Sequence, residues 1–314
     1  MACDPSRMTT ILPVPRISDH ASRAAVSYSI HHQVSFSYGG MVRKNRNQVR
    51  LCPPSDERQR CESFLLQIDP ETDAREDSDQ FGNRVHCFEI KTSHRFLTLK
   101  VRSKASLEEP QASRPADAAL SEAAASAVSV LPDTARYSGL SSYIPHVPEV
   151  EELVRAAEQE SGGSATGFAE AAARLIRSQF RYRSGVTHVT STIADIFKTR
   201  AGVCQDFAHL LIAVLRWRGV SARYVSGYVV PKYLSGALYK GDRLFRTTAG
   251  HAWVEFFLPS AGWVGIDPTL NVWPDVRHIK LACGRDYGDA APVSGVYQGS
   301  EQSSVQSMIE ISCD

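Results

Sequence analysis

The sequence shows no strong excess of charge of either sign and no long apolar run. Its 35 Lys and Arg residues nearly balance its 34 Asp and Glu residues, which gives a formal net charge of +1. Because proteins that bind nucleic acid carry a basic excess, this balance argues against a nucleic-acid partner. No segment is apolar enough to span a bilayer, and residues 1–20 lack the apolar core of a signal peptide. The sequence therefore predicts a cytoplasmic protein that makes no membrane contact.

Signatures of common metal and cofactor sites are also missing. The sequence contains no HExxH, no zinc pattern, no GxGxxG, no phosphate loop and no GxSxG. The acidic stretch 71–79 lacks the ligand order of a calcium loop, so we predict a solvated turn there. Metal-ligand spacing is also missing among five histidines, namely His31, His32, His86, His94 and His278. We therefore expect no metal and no cofactor.

The first part of the chain carries the patterns of β-structure. The length of 314 residues favours two domains. After an irregular leader at 1–24, apolar and polar residues alternate at 28–38 and 95–101, which is the period of a half-buried strand. With a further strand signal at 86–90 and turn formers between, this pattern predicts an antiparallel β domain over 25–107.

The next segment, 108–148, is rich in Ala, Ser, Glu and Pro. We predict a connector with one short helix near 120–131. The stretch 149–275 is predicted to be a second domain, and no pattern predicts an element in the C-terminal extension 276–314.

Within the second domain, helices come before strands. Apolar residues recur at helical spacing in 167–180 and again from Cys204 to about Arg218, where Gly219 is a good helix end. A strand at 221–230 and two further strands follow. Helices packed on an antiparallel sheet predict an α+β fold.

Cys204 lies in GVCQDFAH (202–209), where a glycine-containing turn gives way to the second helix. The unpaired N–H groups and the partial positive charge at a helix N-terminus stabilise a thiolate and lower the thiol pKa. The seven cysteines are odd in number and include no CxxC pair, so most are expected to be idle thiols in a reducing compartment. Its context makes Cys204 the candidate nucleophile.

The matching base and its partner lie downstream, in GHAWVEFFLP (250–259) and GWVGIDPT (262–269). A hairpin with an odd-numbered loop centred on residue 259 would set His251 directly opposite Asp267, whereas a slip of one residue would separate them. Opposed residues have Cβ atoms about 4.5–5.5 Å apart, so the carboxylate can accept from one imidazole nitrogen. The other nitrogen can then take the thiol proton of Cys204, which predicts acyl transfer through a thioester.

Several neighbours of these motifs have two interpretations. His209 lies about 140° round the helix from Cys204, so a structural, hydrogen-bonded role is favoured over a catalytic one. Asp206 is expected to brace the first helical turn. Four aromatic residues could wall a substrate cleft or pack in the core, and these are Trp253, Trp263, Tyr224 and Tyr228.

Together these motifs resemble the transglutaminase-like superfamily in its bacterial stand-alone form. GVCQDFAH, LRWRGVSARYVSGYV (215–229), GHAWVEFFLP and GWVGIDPT occur in the order of that family. Four segments also resemble its flanking regions, namely RLCP (50–53), QIDP (67–70), FGN (81–83) and GRDYGDAAPVSGVYQG (284–299).

The resemblance implies a papain-like core, in which a helix-borne cysteine packs on an antiparallel sheet that carries His and Asp. It also implies a catalytic triad of Cys204, His251 and Asp267 and an accessory N-terminal β domain without chemistry of its own. Two departures from the family pattern, Gly250 before His251 and DSDQ (77–80) before FGN, bear on substrate fit and not on the reaction type.

Three functions remain open. We favour a cysteine hydrolase that acts on peptide or carboxamide bonds of a protein or peptide substrate, because hydrolysis needs only water. A protein-glutamine transamidase would use the same three residues with an amine in place of water. A non-catalytic binding scaffold is the third, and the intact Cys, His and Asp argue against it. The sequence leaves the oligomeric state open.

Overall fold

The computed structural model describes residues 25–110, 114–129, 132–232 and 244–314. The predicted leader at 1–24 lies outside the described residues. The chain divides into two compact units. Unit 1 holds the described residues of Met1–Glu109, Val229–Gly250 and Val293–Asp314, and unit 2 holds those of Pro110–Tyr228 and His251–Pro292.

The described helices are α1 (Leu120–Ser129), α2 (Pro132–Ala135), α3 (Val150–Ser161), α4 (Ala165–Gln179), α5 (Ile193–Thr199), α6 (Cys204–Trp217) and α7 (Tyr287–Ala290). The strands of unit 1 are β1 (Ala25–Val49), β2 (Gln59–Asp69), β3 (Arg75–Ser78), β4 (Arg84–Ile90), β5 (His94–Glu108), β9 (Leu244–Thr247), β13 (Val293–Gly299) and β14 (Ser303–Cys313). The strands of unit 2 are β6 (Arg181–Tyr182), β7 (Ala201–Gly202), β8 (Ala222–Val229), β10 (His251–Leu258), β11 (Gly262–Ile266) and β12 (His278–Gly284).

Unit 1 is built around the long strand β1. The first part of β1 pairs antiparallel with β5 and β14, and its last part pairs with β4 and β13. Tyr28, Ile30 and Val34 are buried on one face, as the period-two alternation of 28–38 predicts. Register shifts after Ser37 separate the two parts of the strand. The predicted antiparallel β domain is therefore present, with a first strand longer than the alternation indicated.

Unit 2 contains a four-stranded sheet in the order β11-β10-β8-β12. Strand β10 pairs antiparallel with β8 and β11 and packs against α6. The even-numbered residues of β10 enter one hydrophobic core with the apolar residues of α4 and α6. This burial holds α6, and with it Cys204, against the sheet. The predicted α+β class is confirmed.

The structure differs from the sequence prediction in how the segments are assigned. The predicted connector 108–148 contains the expected short helix, which is α1, and a second helix, α2. Its apolar residues Leu120, Ala123, Ile144 and Val147 belong to the core of unit 2. Part of the predicted turn at 71–79 is strand β3, which is exposed and pairs with β4.

The predicted extension 276–314 is divided between the two units. Strand β12 joins the sheet of unit 2, whereas β13 and β14 join the sheet of unit 1. Long-range strand pairing decides this placement, and local sequence patterns do not report it. In the described ranges, no helix is both long enough and apolar enough to cross a membrane.

Candidate active site

Cys204 is the first residue of α6, and its side chain is half-buried. The backbone N–H of Val203 donates to Asp206 Oδ2 at 2.7 Å, and the hydroxyl of Thr187 donates to the same oxygen at 2.6 Å. Asp206 therefore braces the turn before the cysteine, as the sequence predicted. A Cβ atom on Gly202 would lie 2.6 Å from Asp206, so this turn requires glycine.

His251 begins β10, and Asp267 directly follows β11. The Nε2 atom of His251 lies 2.7 Å from Asp267 Oδ2, so the two predicted partners are hydrogen-bonded. The carboxylate has no proton to give, which makes Nε2 the donor and leaves Nδ1 for Cys204.

The predicted hairpin register is wrong by one position at its centre. Leu258 pairs with Gly262, so the loop is centred on residue 260 and not on 259. The loop has three residues, 259–261, and Gly262 takes the left-handed φ of 69° that closes such a turn. Because the loop length remains odd, His251 and Asp267 stay on the same face and meet diagonally.

The charge of His251 is set by its two partners. Burial lowers the pKa of the imidazole, but the hydrogen bonds and negative charges of Asp267 and Cys204 outweigh it and raise the pKa to about 10. The imidazole is therefore held as a cation at neutral pH, next to the sulfur.

Asp267 is completely buried and fully hydrogen-bonded. Its Oδ1 accepts from the backbone N–H groups of Thr269 at 2.8 Å and Leu270 at 3.1 Å. Its Oδ2 accepts from His251 and from His278 Nε2 at 3.3 Å. Burial raises the pKa of Asp267, but the hydrogen bonds from the two histidines outweigh it and hold the pKa below its ordinary range. The carboxylate thus stays charged.

No sequence pattern identified His278 as a member of this cluster. The His278 side chain is 1% exposed, and its Nδ1 lies 3.3 Å from the backbone nitrogen of Asp275 and 3.4 Å from Asp275 Oδ1. The i,i+3 spacing of Asp275 and His278 was the available signal, but nothing in the sequence linked this pair to Asp267, eight residues or more away.

Trp253 contacts both histidines. Its ring stacks on His251 with centroids 6.4 Å apart and meets His278 edge-on at 5.4 Å. A Cβ atom on Gly227 would lie 2.6 Å from this indole, so glycine on β8 makes room for it. Trp253 is 2% exposed, which makes it a core residue that supports the site.

The remaining candidates are structural. His209 is completely buried, accepts from the backbone N–H of Tyr287 at 3.1 Å, and has its pKa lowered by burial to about 3. Tyr224 and Tyr228 are buried, which supports the core interpretation for both. Trp263 is half-buried, and its ring lies 4.1 Å from the guanidinium of Arg223.

The cluster can therefore combine a nucleophile, a base and a fixed carboxylate. A thiolate at Cys204 can attack a carbonyl carbon, and the first-turn N–H groups of α6, which have no partner within the helix, can stabilise the oxyanion. Within the part of the chain that the structure describes, no group of three or more His, Cys, Asp or Glu side chains is placed to hold a metal ion.

Comparisons with known proteins agree on one family. A family model described as the transglutaminase-like superfamily matches residues 148–268, and one described as the bacterial transglutaminase-like N-terminal region matches 28–106. An uncharacterised protein of Mycobacterium tuberculosis is 32% identical over 308 residues, which cover 90% of this chain and 92% of that protein.

Two further matches bear on chemistry and on fold. A protein-glutamine gamma-glutamyltransferase of Pseudomonas aeruginosa is 38% identical over 109 residues, which are 33% of this chain and 16% of that protein. A solved structure from Cytophaga hutchinsonii, described as a candidate cysteine protease, is similar with a TM-score of 0.66 at 21% identity. The similarity covers 93% of this chain and 98% of that one, and it shows the shared fold.

Proposed function

The chain belongs to the transglutaminase-like superfamily, and we propose that it is a cysteine hydrolase of peptide or carboxamide bonds. The observation that carries the proposal is Cys204 at the N-terminus of α6, next to an imidazole that is hydrogen-bonded to Asp267 at 2.7 Å. A nucleophile, a base and a group that orients the base are the parts that covalent acyl transfer needs.

Cleavage proceeds in two steps. The Cys204 thiolate attacks the carbonyl carbon, and the backbone N–H groups at the start of α6 stabilise the oxyanion. His251 gives its Nδ1 proton to the departing amine or ammonia, which leaves a thioester on Cys204. His251 then takes a proton from water, the hydroxide attacks the thioester, and the carboxylic acid leaves as the thiolate re-forms.

Hydrolysis is favoured over transamidation because it requires only water in addition to these three side chains. Transamidation requires in addition a site for the acceptor amine and exclusion of water from the thioester. The named activity of the Pseudomonas aeruginosa relative favours transamidation as the second candidate, although the match covers 16% of that protein.

The test follows the products of Cys204 chemistry. The protein is incubated with casein and with a glutamine-containing peptide, with and without dansylcadaverine, and we measure new peptide termini, ammonia release and amine incorporation. We expect hydrolysis products from the wild type and from Cys87→Ser, whose thiol is half-buried like that of Cys204, and none from Cys204→Ala.

Other outcomes of this experiment would change the proposed function. Incorporation of the amine at the expense of hydrolysis would replace the hydrolase with a transamidase. Turnover that persists in Cys204→Ala would contradict both. An acyl adduct on Cys204, found by mass spectrometry after brief incubation, would support a thioester, and an unmodified and unreactive Cys204 would favour the scaffold.

A further inference from the structure

His278 brings a second imidazole to the carboxylate that orients His251. The two Nε2 atoms converge on the same oxygen, Asp267 Oδ2, at 2.7 Å from His251 and 3.3 Å from His278. The two histidines come from different strands, β10 and β12, on either side of β8 in the sheet. His278 thus ties the loop after β11 to a distant strand of the same sheet.

The two oxygens of Asp267 are held in different ways. Oδ1 is fixed by two backbone amides of its own loop, those of Thr269 and Leu270. Oδ2 is fixed by side chains, and one of these, His251, must change its protonation state during the proposed reaction. When His251 gives up its Nδ1 proton, the ring loses its positive charge and its electrostatic attraction to Oδ2 weakens. The hydrogen bond from His278 does not change in this step.

The orientation of His278 is itself determined by its neighbours. Its Nδ1 faces Asp275, whose carboxylate is held by Arg277 through contacts of 2.7–3.0 Å. Nε2 faces a buried carboxylate, so it carries a proton and donates in either protonation state of the ring. The indole of Trp253 packs edge-on against the ring, at 5.4 Å between centroids. His278 is therefore a permanent donor to Asp267.

We propose that His278 is a positioning residue of the site, which fixes Asp267 Oδ2 where it orients His251 toward Cys204. The inference rests on the proposed function, because it gives His278 a role in reactivity at Cys204. It acts through Asp267 and touches no substrate. Misplacing a catalytic group by about 1 Å can lower a reaction rate by about 100-fold, so loss of this positioning contact should lower reactivity measurably.

The experiment separates the hydrogen bond of His278 from the packing of its ring. Carboxamidomethylation of Cys204 by iodoacetamide at pH 6 is followed by mass spectrometry, which needs no substrate. His278→Phe keeps a ring of similar shape and removes the donor, whereas His278→Gln keeps a donor and removes the ring. We expect alkylation about tenfold slower in His278→Phe and within about threefold of wild type in His278→Gln.

A double-mutant cycle tests whether His278 acts through Asp267. In an Asp267→Asn background, adding His278→Phe should cause no further loss of rate. The control is His32→Phe, which removes a buried histidine that is hydrogen-bonded to Ser307 in unit 1 and should leave the rate unchanged. With a cleavable substrate, His278→Phe should lower kcat and leave KM unchanged.

Three results would overturn the proposal: a wild-type rate in His278→Phe, a loss in His278→Gln as large as in His278→Phe, or full additivity with Asp267→Asn. Should His278→Phe fail to fold, NMR of the imidazole N–H protons in the wild type and Asp267→Asn decides. Both histidine signals should shift, and a change confined to His251 would remove the basis of the proposal. Absence of hydrolysis with the expected alkylation pattern would contradict the proposed function and leave the role of His278 intact.

Discussion

His251 and Asp267 are two residues out of direct cross-strand register, yet their side chains lie 2.7 Å apart. Continued pairing of β10 and β11 would set His251 opposite Thr269 and not opposite Asp267. The contact forms because the two side chains share a face and because β11 ends at Ile266, after which the chain turns. Asp267 is therefore fixed by its own loop, where its backbone bonds Val272 and its Oδ1 bonds two amides.

Cys204 should be the most reactive thiol of the described cysteines. A thiol at a helix N-terminus beside a histidine generally reacts faster than an isolated thiol, so we expect iodoacetamide at pH 6.5 to modify Cys204 at least about tenfold faster than Cys87. The measurement is time-resolved peptide mass spectrometry. In His251→Gln the rate at Cys204 should fall to that of Cys87, and equal rates in the wild type would contradict the proposed activation.

The His251–Asp267 pair should make stability depend on pH with a defined sign. The pKa of His251 is raised from 6.5 to about 10 on folding, so its contribution is complete below pH 6.5 and is lost as the pH rises through about 10. The loss of unfolding free energy caused by His251→Gln should therefore be smaller at pH 10 than at pH 6 by about 4 kcal/mol. Chemical denaturation at each pH measures it.

The control for this pH dependence is the same substitution in an Asp267→Asn background. There the imidazole lacks its carboxylate, so the difference between His and Gln should vary much less with pH. A difference that stays constant from pH 6 to pH 10 in the wild-type background would show that the imidazole is not held as a cation.

Gly202→Ala should disturb the turn that presents Cys204. The added methyl group would lie 2.6 Å from Asp206, which is buried and bonded to Val203 and Thr187. We expect a loss of about 1–3 kcal/mol in the unfolding free energy and slower alkylation of Cys204. Gly139→Ala is the matched control, because nothing lies within 4 Å of a Cβ atom there. Similar thermal unfolding curves for Gly202→Ala and Gly139→Ala would contradict the expected clash of the added methyl group with Asp206.

A buried ion cluster on the sheet of unit 2 should be costly to break by removal of its carboxylate. Glu255 is 6% exposed and lies 2.6 Å from both Lys280 Nζ and an Arg223 guanidinium nitrogen. Burial raises the pKa of Glu255, but these two cations outweigh it and lower the pKa to about 2.

Glu255→Ala leaves two cations without their carboxylate, so we expect a loss of about 3–5 kcal/mol in the unfolding free energy. Asp77→Ala, which removes an exposed partner of Arg75, should cost about 0–1 kcal/mol. Denaturant titration of both variants measures the contrast. A cost for Glu255→Ala as small as that for Asp77→Ala would contradict the expected penalty for leaving two buried cations unpaired.

Local patterns were sufficient for the elements that carry Cys204 and His251. Helix α6 has strong periodicity, and Gly219, with a φ of 82°, ends it as expected. Strand β10, which begins at His251, was expected as one strand of a hairpin. The odd number of residues in the loop between β10 and β11 also followed, because His251 and Asp267 had to lie on the same face of the hairpin. The position of the loop centre did not follow, because Gly262 determines it by taking a positive φ. The sequence does not show which glycines take this conformation.

Long-range pairing was beyond these patterns. Strand β14 alternates weakly because part of it is exposed, with Val305 at 60%, and its partner β1 lies near the other end of the sequence. The contact of His278 with Asp267 also depends on the strand order of the sheet. His278 lies in no sequence motif, so its contact with Asp267 could be identified only from the assembled sheet.

The placement of β14 constrains when unit 1 can be completed during synthesis. Strand β14 pairs with β1 along its whole length, from Tyr28 opposite Cys313 to Tyr38 opposite Ser303. All of unit 2 is synthesised before residues 303–313, so β1 has one edge uncovered while residues 109–302, between β5 and β14, are translated. Nascent chains stalled before residue 303 are therefore the form of this protein most exposed to chaperones and to aggregation.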